Sequence, residues 1–323
     1  MSSLWHVEGD TAQLTDGERN YIENYYELCY LYATHEYIAK SDINTVITGL
    51  SYGLDDFETR YMRHRAANLS MHSQDLYYDR LNIEKACAEN RNIKNVVMTL
   101  GYYSLFYDTS LSSNKTKCIE TYLPLFGDTH HFNDQSLCSG RNTEVLTEHS
   151  DGILRFFGDC PEYYGDCIER EITNIDVYRQ CGWYRLSPNS RFEIAKALAS
   201  KHNNHINHLD TYRENTGLLT ELFDTLNRDG INIFVVIPPF SPEYNAVINN
   251  EYIKYLLEYL EAVPFPINYI DMNEMGFDAT KYFMDADHLN LRGAIEASRI
   301  LDALIDKTSQ CEASAKQIMQ AKI

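Results

Sequence analysis

The chain has 323 residues, of which 44% are hydrophobic and 23% charged, and it carries a formal net charge of −19. A chain of this length buries about 75% of its unfolded surface, so the fold needs no disulfide or metal staple. The negative charge argues against a nucleic-acid backbone or an anionic membrane as the main partner, while leaving room for a local basic pocket.

No run of about 18 apolar residues exists, so no membrane span is predicted. Met1 to Glu8 lack a basic segment followed by an apolar one, so no signal peptide is expected either. Without a secretory signal the eight cysteines read as reduced thiols, and a cytoplasmic location follows as the expectation. Their closest spacing is Cys160 to Cys167 and there is no C-x-x-C pair, which disfavours a cysteine-based zinc site. The 25 tyrosines fit a sugar-binding surface, but a coding bias toward Tyr, Asn, Ile and Lys explains them equally well and is preferred.

Thr15-Asp16-Gly17-Glu18 fits a capping box, in which hydroxyl and carboxylate satisfy free N–H groups at a helix start. Ile22, Tyr25, Tyr26, Cys29 and Tyr32 or Ala33 then recur at helical spacing and predict a helix of about 20 residues. Ile43 leads into Asn44-Thr45-Val46-Ile47-Thr48-Gly49-Leu50, a buried strand ended by Gly49. Ser51 follows at once, at the strand end where open parallel sheets hold their ligands. Asp55 to His64 is polar and predicted helical. Ala66 to Ser70 is a second-strand candidate ending in the loop Met71 to Asp75. Leu76 to Asn90 reads as helix and Asn95 to Gly101 as a third strand. Alternating strands and helices predict a parallel, doubly wound sheet.

From 108 to 184 that rhythm breaks into a stretch rich in Gly, Asp, Asn, Cys and Tyr. Compact domains do not carry structureless loops of that length, so it is expected to be an insertion with irregular structure of its own. Within a single domain spanning 1–323, the roles open to it are a lid over the site or an acceptor platform. Ser187-Pro188 and the box Ser190-Arg191-Phe192-Glu193 restart a helix. A further helix carries Leu218, Leu219, Leu222, Phe223 and Leu226 and stops near Gly230. Ile231 to Ile237 is the clearest strand, closed by Pro238-Pro239, which is expected to wall the site. A helix with Ile253, Leu256, Leu257 and Leu260 precedes a fifth strand, Ile267 to Asp271. The last helix begins near Arg292.

Ser51 needs a base, because a serine hydroxyl is a poor nucleophile at neutral pH. Asp285-Ala286-Asp287-His288-Leu289-Asn290, after the last strand, supplies His288, with Asp285 to hold the imidazole in the accepting tautomer. The alternative is that Asp285, Asp287 and Asn290 merely cap the last helix. Gly49-Leu50-Ser51-Tyr52-Gly53 also fits the G-x-S-x-G elbow, but only a helix precedes it here, where the α/β-hydrolase elbow follows several strands. His202, His205 and His208 fan around a helix and read as a solvated face rather than a metal site. His130-His131 lies in a loop with less support still.

Together these blocks resemble the SGNH (GDSL-like) hydrolase superfamily. Gly49-Leu50-Ser51 stands at the G-D-S position, with Leu50 replacing the aspartate. Asn68 to Gln74 resembles the second block, with Ser73 where a glycine usually offers its N–H. Leu100-Gly101-Tyr102-Tyr103-Ser104 resembles G-x-N-D, with Tyr103 replacing the asparagine, and Asp285 to Asn290 matches the last block. The start G-x-S-Y-G, the insertion, Pro238-Pro239 and D-x-D-H-L-N most resemble members associated with bacterial surface-polysaccharide biosynthesis.

The resemblance implies a three-layer α/β/α fold with a mostly parallel, five-stranded flavodoxin-like sheet, preceded by a helix and interrupted by a long irregular insertion. It also implies a serine esterase or O-acyltransferase acting on an ester-modified carbohydrate or small molecule, with no cofactor or metal. Ser51, His288 and Asp285 would be catalytic, and Ser73, Gly101, Tyr103 and Ser104 would hold oxyanion and substrate. A transferase would take an activated acyl donor. The alternative, favoured by Leu50 and Tyr103, is a catalytically silent glycan-binding or scaffold protein of a polysaccharide assembly system.

Overall fold

The protein's computed structural model describes residues 14–132, 143–163 and 182–320. Met1 to Glu8, the Cys160–Cys167 spacing and much of the insertion, 133–142 and 164–181, fall outside them. Five strands form one sheet: β1 Thr45–Gly49, β2 Ala66–Asn68, β3 Asn95–Thr99, β4 Asn232–Ile237 and β5 Asn268–Asp271. They lie in the order β2-β1-β3-β4-β5 with every neighbouring pair parallel. This is the flavodoxin-like three-layer α/β/α arrangement expected from the sequence. β1, β2 and β3 are buried throughout, as strands covered on both faces by helices must be; their centres are apolar and buried polar residues, Thr45, Thr48, Asn68, Asn95 and Thr99, stand among them. β5, at the sheet edge, is only half-buried.

Gly49 sits at the point where β1 must turn away from β3. Its φ is +149°, and an added Cβ would lie 2.0 Å from Thr99 Oγ1 and 2.3 Å from the Thr99 carbonyl oxygen. A rigid backbone atom cannot yield that space. Gly49→Ala is therefore expected to destabilise the fold by about 1–3 kcal/mol, from overpacking together with backbone strain. Chemical denaturation measures the loss.

Two predicted helices take a different form. The capping box closes as expected, with Glu18 N–H donating to Thr15 Oγ1 and Thr15 N–H to Glu18 Oε2. The long leading helix, however, is two: α1 Asp16–Asn24 and α2 Tyr26–Lys40, parted at Tyr25, whose φ and ψ are −131° and 42°. The break turns Tyr26 into a buried ring cluster with Phe157 and Tyr163, at centroid distances of 5.4 and 5.5 Å. Asp55 to His64 is likewise no continuous helix. The chain forms α3 Ser51–Asp55 and then a single 3₁₀ turn, Thr59–Tyr61. Its polar groups are engaged by the end of the chain instead: Asp56 accepts from Leu289 N–H, and Glu58 N–H donates to Ser298 Oγ.

α4 is Leu76–Glu89, capped by Asp75. α5, Pro188–Asn203, starts earlier than the Ser190 box predicts, because Ser187 is the cap and Pro188 fills the first turn. α6 Leu209–Arg228 ends beside Gly230, at φ +70°, and α7 Glu251–Ala262 leads to β5. α8 is Leu291–Gln320. Among the described residues no helix is long and apolar enough to cross a membrane. Cys29, Cys87, Cys118 and Cys160 are free thiols.

Candidate active site

The sheet order makes the end of β1 special. The chain leaves β1 toward β2 on one side and returns to β3 on the other, so a crevice opens outside the carboxyl ends of these strands. Ser51 is the first residue of α3 at that crevice. Its backbone N–H, in the first turn, has no intrahelical acceptor and is available to an anion.

His288 reaches Ser51 from the far end of the sheet. Its loop is folded back by a bridge between Phe283 and Leu289 and by bonds from Met284 N–H to the His288 carbonyl and Asn290 N–H to the Tyr282 carbonyl. Asp285 Oδ1 tightens the turn by accepting the N–H groups of Asp287 and His288 at 3.0 and 2.8 Å. Asp56, fully buried, anchors the loop to α3 by accepting Leu289 N–H at 2.7 Å. Removing that acceptor strands a buried N–H. Asp56→Ala is therefore expected to cost about 1–3 kcal/mol and to loosen His288, whereas Asp56→Asn keeps the acceptor and much of the stability. Thermal melts of both variants separate the two outcomes.

With the loop so held, His288 Nε2 lies 2.8 Å from Ser51 Oγ. Nδ1 faces two carboxylates, Asp285 at 3.2 Å from both oxygens and Asp287 Oδ1 at 3.3 Å. The two differ in setting. The Asp285 side chain is 45% exposed, that of Asp287 only 5%. Asp287 is fixed in turn by the Tyr52 hydroxyl, which donates to Oδ2 at 2.9 Å. The Tyr52 ring stacks on the imidazole at 5.2 Å, meets Phe240 edge-on at 5.1 Å, and lies against Gly101, where an added Cβ would approach it to 2.3 Å.

Burial opposes a charged His288, but Asp287 and then Asp285 outweigh it and hold the imidazole well above its usual pKa. For Asp287, burial raises the carboxyl's pKa, and the adjacent His288 charge together with the hydrogen bonds of His288 and Tyr52 and the more distant His202 outweigh it, leaving the acid below its usual value. Asp56, with no cation in direct contact, is pushed well up by burial despite the Coulombic pull of His288. Asp285, Asp287 and His288 can each bring a ligand atom within 4.8 Å of the others. Both imidazole nitrogens are already engaged, by Ser51 and by the carboxylates, so the cluster works as a hydrogen-bonded set.

The remaining predicted residues are placed less uniformly. Ser73 adopts φ +58°, a left-handed conformation in which glycine is at ease. Its Oγ accepts from Asn114 and its carbonyl from Thr109. Gly101 joins the site through Tyr52. Tyr103 packs edge-on to Tyr52 at 6.5 Å and against His202 and His205 at 4.4 and 5.1 Å. Ser104 is buried, its Oγ without a hydrogen bond. Among the described residues no hydrogen bond joins Ser73, Tyr103 or Ser104 to Ser51 or His288.

Two site features escaped the sequence reading. Asp287 is a second carboxylate on the imidazole, not a helix cap; only Asn290 caps α8, accepting Gly293 N–H at 3.0 Å. The histidine run is not wholly solvated either. His202 donates or accepts with Tyr244 at 2.6 Å, and burial pushes the imidazoles of both His202 and His205 down to about 4. The alternation D-x-D-H could have signalled Asp287; nothing in the histidine spacing signals the Tyr103 contact.

The chain matches no protein-family model and no curated protein. Among solved structures it is similar to one described as "a putative platelet activating factor from Streptococcus pneumonia", at 10% identity and a TM-score of 0.41, covering 87% of this chain and 92% of that one.

Proposed function

We propose that the protein is an SGNH-type serine esterase or O-acyltransferase whose substrate is an ester-modified carbohydrate. The observation that carries this reading is the 2.8 Å contact between Ser51 Oγ and His288 Nε2, with Nδ1 facing Asp285 and Asp287. Ser51 Oγ attacks the acyl carbon while His288 Nε2 takes its proton. The carboxylates hold the imidazole in the accepting tautomer and stabilise the imidazolium that forms. As the tetrahedral adduct collapses, the sugar oxygen leaves with that proton and Ser51 retains the acyl group. Water, or a second sugar hydroxyl, then repeats the sequence in reverse. Ser51 N–H is one oxyanion donor, and the Ser73 and Gly101–Ser104 segments are the elements from which the others would come.

The raised His288 pKa fixes the sign of the pH dependence. A base must be neutral to accept a proton, so kcat/KM is expected to rise with pH through an apparent pKa above 6.5. An acid-side optimum would contradict His288 as the base.

Labelling with a fluorophosphonate probe tests the reading directly. Wild type should label, while Ser51→Ala and His288→Ala should not. Labelling that persists in Ser51→Ala overturns it by assigning the reaction to another nucleophile, and none in the wild type overturns it and leaves the silent glycan-binding protein. Acetate release from an acetylated sugar, with and without an acceptor sugar, then separates esterase from transferase.

A further inference from the structure

A second cluster of titratable groups lies outside the Ser51 site. Asp108 comes from the segment after β3, His130 and His131 from the insertion, and Glu214 from α6. The two imidazoles stack at 3.9 Å with 25° between their planes, and His130 is clamped from its other face by the Tyr77 ring at 4.0 Å. The two rings point the same way. Both turn Nδ1 toward Asp108, at 3.6 Å for His130 and 2.9 Å for His131. Both turn Nε2 toward one oxygen, Glu214 Oε1, at 3.2 and 3.3 Å.

The His131–Asp108 contact of 2.9 Å is an ordinary hydrogen bond. The Nε2–Oε1 separations of 3.2 and 3.3 Å lie at the long end for one. They match the roughly 3.3 Å edge between donors around a tetrahedral ion with bonds of about 2.0–2.1 Å. Asp108 is oriented further by Ser110, whose N–H and hydroxyl it accepts. The His130 side chain is only 7% exposed, and its Nδ1 stands 3.6 Å from Asp108 Oδ1, an ion-pair distance longer than a hydrogen bond.

We propose that His130 Nε2, His131 Nε2 and Glu214 Oε1 form a binding site for a zinc-class divalent ion, with Asp108 as the outer carboxylate on both imidazoles. A carboxylate behind a ligating histidine fixes its tautomer and raises its basicity, and one buried aspartate here serves two rings. Two imidazoles and a carboxylate select a borderline metal over magnesium or calcium, which take oxygen ligands. The His131 and Glu214 side chains, 45% and 35% exposed, leave an entry path on one side. The ion would tie the insertion to α6 and to the exit of β3, a structural role independent of the Ser51 chemistry. The sequence concealed this site because its ligands come from elements 83 or more residues apart on one side, with the paired histidines alone in a loop.

Zn²⁺ titration of the chelator-treated full chain, read by competition with a chromophoric chelator, tests the site. One equivalent should bind and raise the melting temperature. His131→Ala and Glu214→Gln, both at partly exposed positions, should weaken binding by at least about tenfold, and Asp108→Asn by about 10–100-fold. Mg²⁺ in excess should not displace the ion, and Asp285→Asn should leave the affinity unchanged. Absence of a saturable site, undiminished binding in both His131→Ala and Glu214→Gln, or a loss confined to Asp285→Asn would each overturn the proposal.

Discussion

Replacing Ser51 with alanine is expected to lower ester turnover by about four to six orders of magnitude, as removal of a nucleophile does where serine and histidine act as a unit. The loss should not come from unfolding. Ser51 is only half-buried, and its single described side-chain bond is the one to His288. A melting temperature within the range of the wild type should accompany the lost activity. His288→Ala should cost about as much, and the double variant scarcely more, because either deletion alone disables the same step. Steady-state kinetics on an activated ester, with the four proteins side by side, measures this. Additive losses would mean that the two side chains serve different steps.

Asp287→Asn should be the more damaging of the two carboxylate substitutions, by about 10³–10⁴ in kcat/KM near neutrality, against about tenfold for Asp285→Asn. The reason is solvent. Asp285 is nearly half exposed, so water and salt screen its hold on the imidazolium, whereas Asp287 is buried beside the ring and bonded by Tyr52. Asparagine at 285 also keeps the oxygen that accepts the Asp287 and His288 N–H groups, so the loop should keep its shape. The pH profile carries the sign. Asp287 is the larger of the two charges that raise the His288 pKa, so its neutralisation should move the rising limb of kcat/KM to lower pH. The same balance acts on stability. His288 binds its proton more tightly folded than unfolded, so its contribution is complete below about 6.5 and fades as pH climbs through the higher folded value. If Asp285→Asn proves the worse variant, the exposed aspartate orients the base and the buried one serves packing.

The strands were legible because parallel strands covered on both faces are apolar at their centres: Val46-Ile47, Val96-Val97 and Phe234-Val235-Val236 announce themselves. Ser51 and His288 were legible from their places after the first and last strands. What the pattern of residues left hidden was decided by distant partners. Asp55 to His64 has helical composition, but Leu289 and Ser298, more than 230 positions away, take its polar groups. Tyr25 interrupts a sound amphipathic helix so that Tyr26 can meet rings from the insertion. Tyr103 finds His202 and His205 only after α5 has folded beside it. Leu50, read as a missing aspartate, is 2% exposed and belongs to the core.

The order of the strands has a consequence in time. β5 lies three places from β1, about 14 Å away at the usual spacing, and His288 must be carried back across β4 and β3 to reach Ser51. The two side chains are also 237 positions apart in the chain. During synthesis at about 5–20 residues per second, the serine therefore emerges roughly 12–50 s before its base exists. Over that interval a nascent chain holds an unactivated hydroxyl on a partly formed sheet. Under the proposed function, Ser51 would gain its base only once the loop carrying His288 has folded back over the strand ends.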